Sequence, residues 1–117
     1  MSKYKNKKIE IDGILFDSIK ESKRYLFLKE KLKLGLISNL RLQQKYLLQE
    51  SFKINKHTIR AIEYRADFVY DKNGIEVVED VKASYQFQDD VYKLKKKLFA
   101  YKYGKEIREI IKPDEEI

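Results

Sequence analysis

The sequence predicts a mixed α/β (α+β) domain in which a central mixed β-sheet lies between two helices. Three observations carry that expectation. Residues 19–34 and 86–103 place apolar side chains at helical spacing, and each stretch ends on a glycine. Short apolar-rich runs separated by Asp-Gly and Asn-Gly turns mark hairpins before and between those helices. A last apolar run follows the second helix, which can therefore act as the crossover between parallel strands.

Taken in order, Lys8-Ile9-Glu10-Ile11, Asp12-Gly13 and Ile14-Leu15-Phe16 read as a hairpin, because Asp-Gly suits a type I′ turn. Asp17-Ser18 then opens a helix over 19–34, and Gly35 stops it. Ile19, Tyr25, Leu26, Phe27, Leu28, Leu32 and Leu34 give it a broad apolar stripe suited to a sheet. A strand over 40–52 follows. Its partner runs over 58–70, across a loop containing Asn55, Lys56 and His57. The turn cluster Asp71-Lys72-Asn73-Gly74 leads into a strand over 75–82. In the second helix Phe87, Val91, Leu94, Leu98 and Tyr101 fall at helical steps and define the expected buried face. Gly104 ends it, residues 106–111 form a short strand, and Pro113 closes the structured region.

The 117 residues suit one domain, with a basic stretch at 1–8 and an acidic one at 112–117. A hydrophobic content of 43% is too high for a disordered chain. No run approaches the roughly 20 apolar residues of a membrane span, and the basic start has no apolar segment behind it. A cytoplasmic location fits. The absence of cysteine excludes disulfides, thiolate zinc sites and thiol nucleophiles. The net charge of +7 favours a polyanionic partner, although a lysine-rich surface also serves solubility alone.

Chemistry concentrates in the run Tyr64-Arg65-Ala66-Asp67-Phe68 and in Glu79-Asp80-Val81-Lys82. Alternation along a strand points Asp80 and Lys82 one way and Val81 the other. Asp67, in an otherwise apolar run, needs a partner or a cation. One or two carboxylates are typical for Mg²⁺, which retains several waters. Asp67 and Asp80 fit, and the Val81 carbonyl can add an oxygen. Lys82 can orient or deprotonate a water, or stabilise a pentavalent phosphate. The competing reading is a half-exposed strand with a solvated face.

Glu21 is a third candidate acid, on the row Glu21, Tyr25, Leu28 and Leu32. It also completes a capping box, Ser18-Ile19-Lys20-Glu21, by reaching back to the Ser18 amide. Gln86, Asp90, Lys93 and Lys97 form a polar row that either contacts a DNA backbone or is the wet side of the second helix. Gln43 and Lys45, on one face of a strand, are weaker candidates of the same kind. His57, the single histidine, has no nucleophile beside it and reads as a surface residue.

This set resembles the PD-(D/E)XK nuclease superfamily. Asp67 matches its first acid, Asp80-Val81-Lys82 its (D/E)-X-K element, and Glu21 its upstream helical acid. Phe16-Asp17-Ser18-Ile19-Lys20-Glu21, Leu40-Arg41-Leu42-Gln43, Ala66-Asp67-Phe68 and Glu79-Asp80-Val81-Lys82 are similar to small phage nucleases related to Holliday junction resolvases and transposon end-cutting nucleases. Ala66 stands where the name pattern has proline. The resemblance implies a restriction-endonuclease-like core. It also implies a phage endonuclease dependent on Mg²⁺ or Mn²⁺, with Glu21, Asp67, Asp80 and Lys82 catalytic and Val81 among the metal ligands. Branched DNA, recombination and a homodimer are further implications. It favours a metal-site role for Glu21, which does not exclude the cap. In a regular strand Glu79, adjacent to Asp80, faces away from it, and a bulge would exchange the two. The alternative is a non-catalytic DNA-binding module that keeps the fold; a nuclease acting on RNA or on a specific sequence is a third reading.

Overall fold

A computed structural model describes residues 8–86 and 88–117. Residues 1–7 of the basic stretch, and Phe87, lie outside the described residues.

Strands β1 (Ile9–Ile11) and β2 (Ile14–Phe16) form the expected hairpin. Its turn residues Asp12 and Gly13 both have positive φ, 54° and 76°, as a type I′ turn requires. Helix α1 (Ile19–Lys33) starts at Ser18, whose Oγ accepts the Glu21 amide at 3.1 Å. Beyond Lys33, Gly35 takes a left-handed φ of 76°.

The two long strands expected over 40–52 and 58–70 are both broken. The first divides into β3 (Ser38–Leu42) and β4 (Lys45–Gln49), with Gln43 at a φ of 55° between them. A separate hairpin follows, β5 (Phe52–Ile54) and β6 (His57–Ile59), turning at Asn55 and Lys56. His57 is thus a strand residue, on an exposed arm. The second long strand divides into β7 (Ile62–Arg65) and β8 (Phe68–Lys72) around Ala66 and Asp67. The breaks coincide in space: the Ala66 amide donates to the Gln44 carbonyl at 2.9 Å, and the Gln43 amide to the Asp67 carbonyl at 3.2 Å. One paired ribbon therefore turns from one sheet into another at Asp67.

The remaining elements are β9 (Ile75–Val81), α2 (Asp90–Tyr103) and β10 (Arg108–Ile110). The main sheet has the order β10-β9-β8-β3, with β10 parallel to β9 and the other neighbours antiparallel. This is the crossover expected of the second helix. Strands β4 and β7 form a two-stranded sheet beside it. Phe68 and Tyr70 pack toward α1 with Phe16, Tyr25, Leu28 and Ile37. Val69 and Val78 pack toward α2 with Tyr46, Tyr64, Tyr92 and Phe99. The helices therefore lie on opposite faces of the main sheet. No helix among the described residues is long and apolar enough to cross a membrane.

The expected buried face of the second helix is corrected. Val91, Leu94 and Tyr101 are exposed, Tyr101 by 92%. The helix starts at Asp90, capped by Asp89, and buries Tyr92 and Phe99 with Tyr103 beside them. The row is rotated by one residue, about 100° on a helix. The space over β4 and β7 is lined by Tyr46 and Tyr64, and the rings of α2 fill it at centroid distances of 5.1–6.4 Å. The rings of Tyr92, Phe99 and Tyr103 bury more area than Val91, Leu94 and Leu98 would, so they take the inward face. On α1 the expected stripe is also narrower: Ile19, Leu26, Leu32 and Leu34 are exposed, while Arg24 is buried.

Arg24 is fully buried and grips Glu79 of β9 through two hydrogen bonds, 2.8 Å from Nε and 2.6 Å from Nη2. The Tyr70 hydroxyl donates to the same carboxylate at 2.5 Å, and Arg108 approaches it at 3.4 Å. The Arg24 Nη1 also donates to the carbonyl of Pro113 at 3.0 Å and to that of Glu115. Residues 112–117 thus fold back against the domain; Lys72 Nζ meets the Ile117 carbonyl at 2.7 Å. Removing one partner of a buried pair strands the other charge, at a cost of about 3–5 kcal/mol. Arg24→Leu and Glu79→Gln should therefore each lower unfolding free energy by roughly that amount in urea titrations. The double variant Arg24→Leu/Glu79→Leu should recover a substantial part of the loss.

Candidate active site

The site forms where β8 begins and β9 ends. Phe68 pairs with Glu79, so Asp67 and Asp80 flank the last pair of the ladder. The Asp67 amide donates to the Glu79 carbonyl at 3.1 Å, one residue out of step with the ladder, so the pairing becomes irregular at the strand break. The hairpin thus delivers two carboxylates to the same end of the sheet. Strand alternation also holds: Lys82 Nζ lies 2.9 Å from Asp80 Oδ1, while Val81 packs with the α1-side core and Glu79 faces Arg24.

Glu21 arrives from the first turn of α1, across the end of the sheet. Ser18 caps the helix, but the Glu21 carboxyl shares a hydrogen bond with Asp67. Burial pushes the Asp67 carboxyl up to about 8, reinforced by the negative charges of Asp80 and Glu21. A hydrogen bond from the Val81 amide, 2.8 Å from Asp67 Oδ2, opposes the rise. Burial raises Glu21 as well, partly offset by the hydrogen bond to Asp67. Glu21 and Asp67 are thus neighbours, and each also feels the charge of Asp80.

Two neighbours were not foreseen. The Tyr64 hydroxyl donates to Asp80 Oδ2 at 2.6 Å, and burial beside Asp80 pushes that phenol far above its ordinary value. The Lys82 ammonium lies 3.3 Å from the centroid of the Tyr92 ring. Tyr64 stands three positions before Asp67 with no pattern to mark it. Tyr92 was hidden by the choice of helix face. Lys20 is a third addition: its Nζ donates to the Lys82 carbonyl at 3.1 Å. Ser18, Lys20, Val81, Lys82 and Ala83 line a cleft of about 290 Å³ at this point.

The candidate DNA-contacting residues scatter. Gln43 and Lys45 do not share a strand face, because the chain breaks between β3 and β4; Gln43 stays beside Asp67 through its amide. Gln86 is exposed ahead of α2. Lys93 and Lys97 border a separate groove with Gln88, Lys96, Ala100 and Glu106. Asp90 is exposed in the first turn of α2. That polar row does not line the cleft beside Lys82.

Among the described residues, no group of three or more acidic or histidine side chains has the spacing of a formed metal centre. Asp67 is bonded to Glu21 and the Val81 amide, and Asp80 to Tyr64 and Lys82. The chemistry of the donor set still suits a hard divalent cation. All donors are oxygens, and one ammonium, Lys82, ion-pairs with the cluster.

The architecture defines a small α+β protein with a buried acidic cluster at the end of a mixed sheet. The chain belongs to the family described as "Protein of unknown function (DUF1064)", which matches residues 1–113. No curated protein and no solved structure matches it.

The raised Asp67 value sets a direction for stability. The folded state holds a proton that the unfolded chain releases near 3.8, so more protons are bound folded than unfolded between those values. Stability from this group is complete below about 4 and is lost as pH rises toward about 8. Asp67→Asn should flatten the fall in melting temperature across that window and raise the melting temperature at its upper end by roughly 5 °C. Differential scanning calorimetry in chelator at stepped pH reads both effects.

Proposed function

We propose that this protein is a divalent-cation-dependent DNA endonuclease with a restriction-endonuclease-like core of the PD-(D/E)XK type. The observation that carries the reading is the convergence of Glu21, Asp67 and Asp80 with Lys82 ion-paired to Asp80. Three carboxylates gathered in a poorly solvated site repel one another and call for a cation.

Glu21, Asp67 and Asp80 would hold that cation, Mg²⁺ or Mn²⁺, with the Val81 carbonyl as a further oxygen. A divalent cation there supplies Lewis-acid polarisation of a phosphate and a lowered pKa for bound water. The chain supplies the remainder. Tyr64 donates to one Asp80 oxygen and orients that carboxylate. Lys82 contacts a carboxylate and an aromatic face, both of which attract a cation. Its ammonium is therefore assigned to stabilising charge on the phosphorane-like transition state rather than to accepting a proton. Asp67, whose proton is favoured by burial up to about 8, would have to release it to hold a cation. Branched DNA as substrate, a homodimer cutting two strands, and a phage setting complete the reading by resemblance.

The competing reading is a DNA-binding module without catalysis. It is favoured by the internally hydrogen-bonded state of the acids and by the absence of a formed metal centre among the described residues. Linear, nicked, single-stranded and four-way DNA, each with Mg²⁺, Mn²⁺ or chelator, separate the two. The enzyme cuts at least one substrate and stops in chelator. Asp80→Asn and Lys82→Met should then lower the cleavage rate by about 10²–10³-fold or more while leaving DNA affinity within a few fold. Wild-type protein that binds DNA but cuts none of these in either metal establishes the binding module instead.

A further inference from the structure

A second cluster of charge lies along the same ribbon as Asp67. Lys45 of β4 and Arg65 of β7 are direct cross-strand partners. Like charges placed opposite each other on a sheet are destabilising. Lys95 of α2 joins them, and the three border one open cleft of about 460 Å³ with Ala61 and Glu63. Their side chains make no ion pair or hydrogen bond among the described residues, with Glu63 or with any other acid. Elsewhere cations beside acids do pair, as Lys96 does with Glu109 and Lys105 with Glu76. The arrangement breaks a local rule without internal compensation, and such places are expected at functional surfaces.

The position of the cleft gives the cluster its meaning. Arg65 is two residues before Asp67, while the intervening Ala66 is buried. Tyr64, the next residue back, points to the other face and holds Asp80. One short strand thus carries both, Tyr64 turned to the acidic site and Arg65 turned to the opposite face. We infer that Lys45, Arg65 and Lys95 bind the phosphate backbone of DNA on the ribbon that leads into the acidic site. This rests on the reading of that site as one that handles DNA, and it adds where the neighbouring phosphates lie. Arg65 offers a planar fork of donors for a phosphate, and the lysines act as point charges.

Counterion release makes the claim quantitative, because each phosphate contact adds about 0.9 to the slope of log K against log salt for duplex DNA. The experiment measures binding of a labelled 30-base-pair DNA duplex, about three turns, to the full chain in EDTA across a salt series. Lys45→Gln/Arg65→Gln/Lys95→Gln should reduce the slope by about 2–3 and affinity at least tenfold at low salt. The control triple Lys23→Gln/Lys33→Gln/Lys112→Gln removes the same charge elsewhere and should change the slope by less than about 1. Circular dichroism checks that both triples fold. An unchanged slope, or an equal loss in the control, overturns the inference. So does a loss confined to a duplex RNA of the same sequence. Cleavage is scored separately. If wild type cuts DNA and the slope does not move, the surface assignment fails alone. If wild type never cuts and the slope falls, the nuclease reading fails and the surface stands.

Discussion

The buried pair between Arg24 and Glu79 is the constraint on which the rest of the structure depends. It joins α1 to the centre of the main sheet with two parallel hydrogen bonds, both groups fully removed from water. Such a pair is expensive unless every donor and acceptor is occupied. Tyr70 and Arg108 take the remaining Glu79 capacity, and carbonyls of the C-terminal segment take the rest of Arg24. No buried side-chain polar atom among the described residues is left without a partner. Arg24 lies one helical turn from Glu21, and Glu79 is next to Asp80. Fixing the first pair therefore fixes where the second pair of acids can be.

The turn of the ribbon at Asp67 matters as much. A continuous strand through residues 64–70 would keep every residue in one sheet. Instead β7 belongs with β4 and β8 with β9, and Asp67 sits where the two sheets part. A positive φ at Gln43 and the exchanged bonds between residues 43–44 and 66–67 make that turn. A residue at such a break has a backbone tied down on both sides and a side chain free to face neither core. That is how a carboxylate in an apolar run meets two others at the sheet's end.

The repulsion within the acid cluster is eased by burial, which favours the neutral form of Asp67 and Glu21, and by one ammonium and one phenol at Asp80. This is a locally costly arrangement, sustained by the surrounding packing of Tyr64, Tyr92 and Phe99. The two faces of the sheet contribute differently. The α2 side supplies Tyr64 and the ring under Lys82, and the α1 side supplies Glu21 and the clamp on Glu79. Neither half is a site alone.

Much of this was legible locally. The Asp12-Gly13 turn, the Ser18 cap, the Gly104 stop and the opposed directions of Glu79 and Asp80 follow from backbone sterics and strand alternation, which act over a few residues. The pairing of β8 with β9 follows too, because the short turn at Asn73 and Gly74 sets the hairpin register. The inward face of α2 was not legible: Val91, Leu94, Leu98 and Tyr101 have the right period, and so do the rings beside them. Which row turns inward depends on the volume left between Tyr46 and Tyr64, on strands more than 25 positions away in sequence. The split of the long strands, the partner of Glu79 and the bond from Tyr64 to Asp80 were likewise decided only in three dimensions. Periodicity and turn chemistry are properties of neighbouring residues. Burial, pairing of charge and filling of space are properties of the whole packed chain.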